Sequence, residues 1–475
     1  MFATRADIRE VWSQAWPAAI SMLSWAVMQF IDSLMVAGLG DAAVAAQSNG
    51  GSIAWAPMSF GFGLLALVNT LVAQRVGAKR TNEIARYGWA GVWIAVAYAL
   101  LVLLPYGAIV GPVLRTYEVH SPEILDGEIA YMRIVLAAGV FTLLGKAIAN
   151  FFYGLQRPKV VTVAALAGNV ANVVGNYVFI FGEQGATVLG VDLPGLPGAP
   201  ALGIAGAAVG TAIGSAVEAL LPFALFLAPR LDREYSVRRA WRPDFRAMRE
   251  IVRLGSPAGL QLLSESGSWA IFMVYLVGTF GEAHNAAGSA VMKYIMLSFM
   301  PALGIANAAT AVVGKHIGEG NLDAAKRSGH AAVFIAAAWM TLCGACFLVF
   351  RAELAAVFLD SEEAIGIAAT LFVFAALFQT LDALGTVYAH ALRGAGDTLV
   401  PGLATVVLSW TVILGGGFYL RAAHPELSST GPWIAATAYI VLLGLFLTVR
   451  FERGGWRRIH LLDGEGGRGD GSTRL

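Results

Sequence analysis

The stretch from Phe378 to Pro401 reads FQTLDALGTVYAHALRGAGDTLVP, and the segment before Asp382, Ala364 to Leu381, is almost wholly apolar. That is enough apolar chain for a helix that crosses a bilayer. Asp382 therefore sits in the latter half of a membrane span that Arg393 ends. A carboxylate at such a depth costs about 2.5–3.5 kcal/mol on insertion scales, and more if it faces lipid, so its presence points to function. The polar turn Leu392 to Thr398 follows. Its two glycines break the apolar pattern, and its threonine can cap the next helix.

The rest of the chain is of the same kind. Hydrophobic residues make up 57% of the 475, charged residues 13%, and the mean hydropathy is +0.67. These values exclude an ordinary soluble protein. At about 20 apolar residues per span, the sequence divides into twelve transmembrane helices, near 11–37, 47–73, 88–111, 129–153, 159–182, 202–228, 250–278, 286–313, 330–350, 364–391, 398–420 and 432–450. The fold class is an all-α polytopic membrane protein. With a cytoplasmic amino terminus, 26 of the 32 Lys and Arg fall on the inside, while Glu118, Glu123, Asp126, Glu128, Asp360, Glu362 and Glu363 collect outside. The positive-inside rule then places both termini in the cytoplasm of a cell-membrane protein. The start, MFATRADIRE, has no basic n-region with a cleavage site, so the first span is expected to be retained.

The chain repeats itself. Pro17-Ala-Ala-Ile-Ser-Met-Leu-Ser24 returns as Pro257-Ala-Gly-Leu-Gln-Leu-Leu-Ser264, Val72–Glu83 as Val313–Ala324, and Gly154–Pro158 as Ala391–Ala395. Six spans per half bring both copies into the membrane from the same side, so the halves are expected to be related by an axis along the membrane normal. We divide the chain into an N-lobe, 1–228, an Arg-rich cytoplasmic linker, 229–253, a C-lobe, 254–452, and a disordered cytoplasmic tail, 453–475. The eight Arg of the linker read as a topology signal rather than a lipid contact, and the Gly/Pro stretch 185–200 as an outside connection. Trp12, Trp16, Trp241, Trp433 and Trp456 fall near span ends, where interfacial rings settle; Trp25, Trp269, Trp339 and Trp410 read as mid-span packing. Cys343 and Cys346 form a CxxC inside an apolar span and read as packing residues. The Arg-Gly-Asp in GGRGDGSTRL reads as part of a Gly-rich tail.

Few ionisable residues lie mid-span: Asp32, Lys146, Glu218, Glu265 and Asp382. Counting from Arg253 and Arg393, Glu265 and Asp382 both lie about 16–18 Å above the cytoplasmic face, where two acids can share one cation. Asp32, counted from Asp41, lies about 13 Å below the outer surface in the other lobe, and is expected to work separately. Glu218 reads as a structural anchor, with Lys146 a possible partner for a buried acid. Asn169, Asn172 and Asn176 recur at spacings of three and four, which places them on one helix face beside a cavity. We assign Gln29, Gln261, Phe378 and Tyr388 to the same substrate cavity. Ser264, Ser266 and Thr380 add oxygens near the acid pair, which leans the coupling ion toward Na⁺ over H⁺. The nearest string to a phosphate-binding loop, Gly139 to Lys146, has the wrong spacing, and no hydrolase or nucleic-acid signature stands out.

Taken together, PAAISMLSWAVMQFIDSLMVAGLG around Asp32, FFYGLQRPKVVTVAALAGNVANVVGNYVFIFG, GIAGAAVGTAIG and LDALGTVYAHALRGAGDT resemble the multidrug and toxic compound extrusion (MATE) transporters over about residues 10–450. The resemblance implies two six-helix lobes arranged as a V. It also implies export of amphiphilic, mostly cationic compounds in exchange for Na⁺ or H⁺, with no cofactor beyond that ion, no nucleic acid, and a monomer among membrane lipids. The NorM-like branch carries a Glu in span 7 and an Asp in span 10, matched here by Glu265 and Asp382. The DinF-like branch has an Asp where this chain has Asn176, and Asp32 matches an acid common to both. The expected mechanism is competition, in which the incoming ion neutralises Glu265 and Asp382 and releases the drug outward. The alternative is a flippase for a lipid-linked precursor, for which a more basic cavity would be expected; one mid-span Lys against four acids favours cationic cargo.

Overall fold

The structure is a computed structural model that describes residues 3–117, 120–188 and 191–462. Twelve helices are long and apolar enough to cross a membrane. In the first half they are α1 (Arg5–Ala37), α2 (Asp41–Gly77), α3 (Thr81–Tyr117), α4 (Pro122–Gly154), α5 (Pro158–Gln184) and α6 (Ile204–Phe226). In the second half they are α7 (Phe245–Phe280), α8 (Glu282–Gly318), α9 (Leu322–Val349), α10 (Glu362–Gly394), α11 (Leu399–Ala423) and α12 (Thr430–Glu452). Several run beyond the apolar stretch because local capping sets their ends. Thr4 and Asp7 form a capping box on α1, Asp244 accepts from Arg246 N and Ala247 N at the start of α7, and Asn321 and Ser361 cap α9 and α10. Glu118 and the Arg-Gly-Asp lie outside the described residues.

Each half closes around its own core. Phe151, Phe152, Phe226 and Tyr87 are fully buried in the N-lobe, and Phe272, Phe372, Phe378, Trp433 and Tyr439 in the C-lobe. Between α5 and α6, the stretch expected to be a plain connection holds a short antiparallel hairpin, β1 (Ala186–Val188) against β2 (Val191–Leu193).

The interlobe segment is more ordered than its composition predicts. Pro229–Tyr235 is helical, and Val237 is buried with its carbonyl accepting from Trp89 Nε1 at 2.8 Å. Residues 453–462 are likewise packed rather than disordered: Trp456 is 1% exposed and stacks on Phe451 at 5.3 Å between centroids. Burial of one indole outweighs the Gly- and Arg-rich composition around it. Trp433 is also fully buried rather than interfacial.

Candidate functional site

Glu265 projects from α7 and Asp382 from α10, and each carboxylate is half-buried and within electrostatic range of the other. Tyr439 of α12 ties them together. Its hydroxyl donates to Glu265 Oε1 at 3.2 Å and also feels the charge of Asp382. Thr386, one turn beyond Asp382 on α10, faces the Asp382 carboxylate. The result is a group of oxygen-bearing side chains inside one lobe, two of them carboxylates and two hydroxyls. Tyr439 escaped the sequence reading because α12 has no mid-span charge to draw attention to it; Thr386 stood at the i+4 position from Asp382, a legible signal.

Asp32 is arranged differently. It is 3% exposed, and Asn176 Nδ2 of α5 donates to its Oδ1. Asn172 faces the same carboxylate, and Tyr131 of α4 lies beside it. Asn176 is the last α-helical residue before a π-helical turn, Tyr177–Phe181, the kind of local widening that recurs at functional sites. Among the described residues, Asn172 Nδ2 and Asn176 Oδ1 have no hydrogen-bond partner. The cluster belongs wholly to the N-lobe.

A third polar group lies where the lobes meet. Lys146 of α4 sits 5.1 Å from the Phe62 ring centroid and within electrostatic range of Glu218 and Arg393. Arg393 lies in the last turn of its helix, which ends at Gly394; its side chain is half-buried and within electrostatic range of Glu265, and its carbonyl accepts from Thr70 Oγ1 of α2 at 2.9 Å. His390 lies close to both cations.

The sequence model of the MatE family matches residues 17–178 and 257–415, one segment in each half. The chain belongs to the MatE family. A probable multidrug resistance protein NorM of Mesorhizobium japonicum is 28% identical over 462 residues, covering 94% of each chain. One of Rhizobium meliloti is 30% identical over 437 residues, 89% of this chain and 88% of that one. Among solved structures, a multidrug resistance MATE family transporter of the MOP superfamily in an outward-facing conformation superposes with a TM-score of 0.83 at 20% identity, over 94% of this chain and 96% of that one. A MOP superfamily transporter from Pyrococcus furiosus gives 0.83 at 21%, over 94% and 95%. At those identities the likeness is one of fold, and it is the two-lobed, all-helical MATE fold that the sequence predicts. This MatE protein is a multi-pass membrane protein and not an enzyme.

The remaining candidates separate. Asn172 and Asn176 face Asp32, while Asn169 is half-buried and Gln29 exposed. Gln261 Nε2 donates to Thr405 Oγ1 at 3.2 Å. Phe378 and Tyr388 are corrections: Phe378 is fully buried in the C-lobe core, and Tyr388 is 4% exposed, stacked on Phe451 and bonded to His330 Nδ1 at 3.1 Å. Both turn inward because an apolar helix buries its large aromatics where neighbouring helices can pack on them. The hydroxyls expected around the acid pair are engaged elsewhere. Ser264 accepts from Trp410 Nε1 (2.8 Å), Ser266 from Trp55 Nε1 (3.2 Å), and Thr380 pairs with Thr341 (2.8 Å). Among the described residues, no three His, Cys, Asp or Glu cluster as metal ligands.

The lobes of this MatE protein meet at the end that carries both termini. Asn69 Nδ2 donates to Asn307 O at 3.2 Å and Gln74 Nε2 to Gly394 O at 2.9 Å. Two ion-pair clusters flank these bonds. Glu10 of α1 meets Lys315 (2.8 Å) and His316 (3.2 Å) of α8. Glu250 of α7 meets Arg75 of α2 (3.7 Å), which also holds Glu83 (3.1 Å) and Tyr87. Trp55 Nε1 donates to Ser266 Oγ at 3.2 Å and adds a contact between the lobes in mid-helix.

Proposed function

We propose that this protein is a secondary active multidrug efflux transporter that exports amphiphilic, mostly cationic compounds by antiport with Na⁺ or H⁺. The observation that carries the reading is the Glu265–Asp382 pair within the C-lobe, with Tyr439 bonded to Glu265 and both carboxylates partly accessible. Carboxylates at that depth are sustained by a cation that comes and goes. Two carboxyl groups with the Tyr439 and Thr386 hydroxyls offer the oxygen donors a hard cation takes, and a proton needs only one of the carboxyls. The hydrogen bonds and ion pairs between the lobes at the terminus-bearing end, taken as cytoplasmic by the positive-inside rule, support a state closed toward the inside. In that state ion entry from outside neutralises the pair and lowers the cavity's hold on a cationic drug. The membrane potential contributes about 2.3 kcal/mol per charge per 100 mV. We take the protein to act as a monomer.

Everted vesicles test this reading, with Na⁺ and pH gradients imposed separately on a fluorescent cationic dye. Either gradient alone driving dye export, and that drive vanishing in Asp382→Asn, is the expected result. Dye movement indifferent to both gradients would overturn antiport.

A further inference from the structure

The proposed efflux function leaves the segment after α12 without a role, and that segment touches both lobes. On the C-lobe side it is firmly held. Gly455–Arg458 forms one 3₁₀ turn, in which Trp456 is buried, stacks on Phe451 and donates from Nε1 to the Phe451 carbonyl at 2.9 Å. Arg457 pairs with Asp323 at the start of α9 at 3.1 Å. Residues 459–462 then run without helix to the N-lobe. There Leu461 packs against the N-lobe hydrophobic cluster, which also takes in Val237 and Ile251 of the interlobe segment. The Leu462 carbonyl accepts from Arg80 Nη1, in the turn between α2 and α3, at 3.0 Å. The crossing point is the seam itself. Leu461 Cδ1 lies so near Gly396 that a Cβ there would come within 2.7 Å of it, and Gly396 stands two residues past Gly394, whose carbonyl is held by Gln74 of α2.

The two attachments differ in strength. A buried indole removes far more apolar surface from water than a half-buried leucine does, and one hydrogen bond from an arginine whose side chain is 39% exposed adds little to the weaker end. Four extended residues span at most about 14 Å, so the lobes cannot move far apart here while both ends hold. The N-lobe end is the one that gives way. We propose that residues 455–462 form a strap, anchored on the C-lobe by Trp456 and latched on the N-lobe by Leu461 and Arg80, that holds the lobes together on the terminus-bearing side and unlatches before the protein opens inward. This control rests on the transport reading above, which requires the lobes to part at that end. The strap sets the share of inward-open protein without touching the acids.

Lobe separation is read by electron–electron double resonance between spin labels at two exposed positions, Lys159→Cys at the start of α5 and Arg453→Cys at the end of α12. The full-length protein, with Cys343 and Cys346 replaced by alanine, is held in nanodiscs with neither drug nor ion gradient. With the strap unaltered the closed distance should dominate. The ratio of separated to closed lobes should rise about tenfold in Leu461→Glu, through lost apolar burial, and about threefold in Arg80→Ala, through one lost hydrogen bond. Leu461→Met and Arg80→Lys should return the closed distance, which a folding defect would not allow. Distance distributions that are the same with and without Leu461→Glu and Arg80→Ala overturn the strap, and so does separation in Leu461→Met as large as in Leu461→Glu. No drug moves in this measurement, so dye export indifferent to both gradients would count against antiport and leave the strap standing.

Discussion

In the N-lobe the carboxylate of Asp32 is sealed from solvent and held by Asn176, whereas in the C-lobe Glu265 and Asp382 remain partly accessible, with Tyr439 bonded to Glu265. The lobes are built from one repeat, with Pro257 following Pro17 by 240 residues. At that spacing Asp32 corresponds to Phe272, buried in the C-lobe core, and Glu265 to Trp25, while at the 237-residue spacing of Gly154 to Ala391 Asp382 corresponds to Gly145. The helical scaffold was duplicated and the charges were not. Depth and packing come from the repeat, but the mid-span charges come from single residues that differ between the lobes.

The largest expected effect breaks the C-lobe side of this contrast. Asp382→Asn or Glu265→Gln should abolish ion-coupled efflux in vesicles while leaving expression and thermal stability nearly intact, since neutralising an intramembrane acid removes an insertion cost of about 2.5–3.5 kcal/mol. Wild-type efflux rates in either variant would sink the assignment. Next comes Asp32→Asn, which should slow transport yet leave Na⁺ binding to the purified protein in place; if binding vanishes as completely as in Asp382→Asn, the lobes do not divide the work.

Tyr439→Phe should act more mildly. It removes one hydrogen bond to a charged group, of order 1.5–3 kcal/mol, and should weaken ion affinity about tenfold in a calorimetric titration with maximal transport rate retained. An unchanged affinity would remove Tyr439 from the site. The smallest effect belongs to Glu10→Gln at the lobe interface, where Glu10 and Lys315 are about one-third exposed. Such a pair contributes less than about 1 kcal/mol, so the melting temperature should barely move, and a large drop would mean that this contact carries the closed state.

Much of this was readable beforehand. Apolar runs mark all twelve helices, the repeats mark the lobes, and the three-and-four spacing of the asparagines puts them on one helix face, though only the structure sets two of them against Asp32 rather than in a cavity. What escaped the reading has a common cause. In a helix that is apolar all round, periodicity does not say which face meets a neighbour and which meets a cavity, so Phe378 and Tyr388 could not be told from cavity residues. Arg393 marks the end of span 10 in sequence and the helix does end one residue on, at Gly394, but the sequence does not show that its side chain is half-buried. Tyr439 is one aromatic among many until its hydroxyl is seen beside Glu265.

At the meeting of α2 and α8, Gly77 lies against the carbonyl of Lys315 and Gly318 against that of Gln74, distances only a residue without a side chain allows. Gln74 and Lys315 occupy matching places in the two repeats, as do Glu10 and Glu250. One patch thus meets its own counterpart, which is the isologous contact of a two-fold homodimer, here made within a single polypeptide. A protein of half this length could close the same interface by pairing with a second copy of itself. Such a dimer would have to carry identical residues on both sides of its axis. The fused chain can hold Arg75 on one side and His316 on the other.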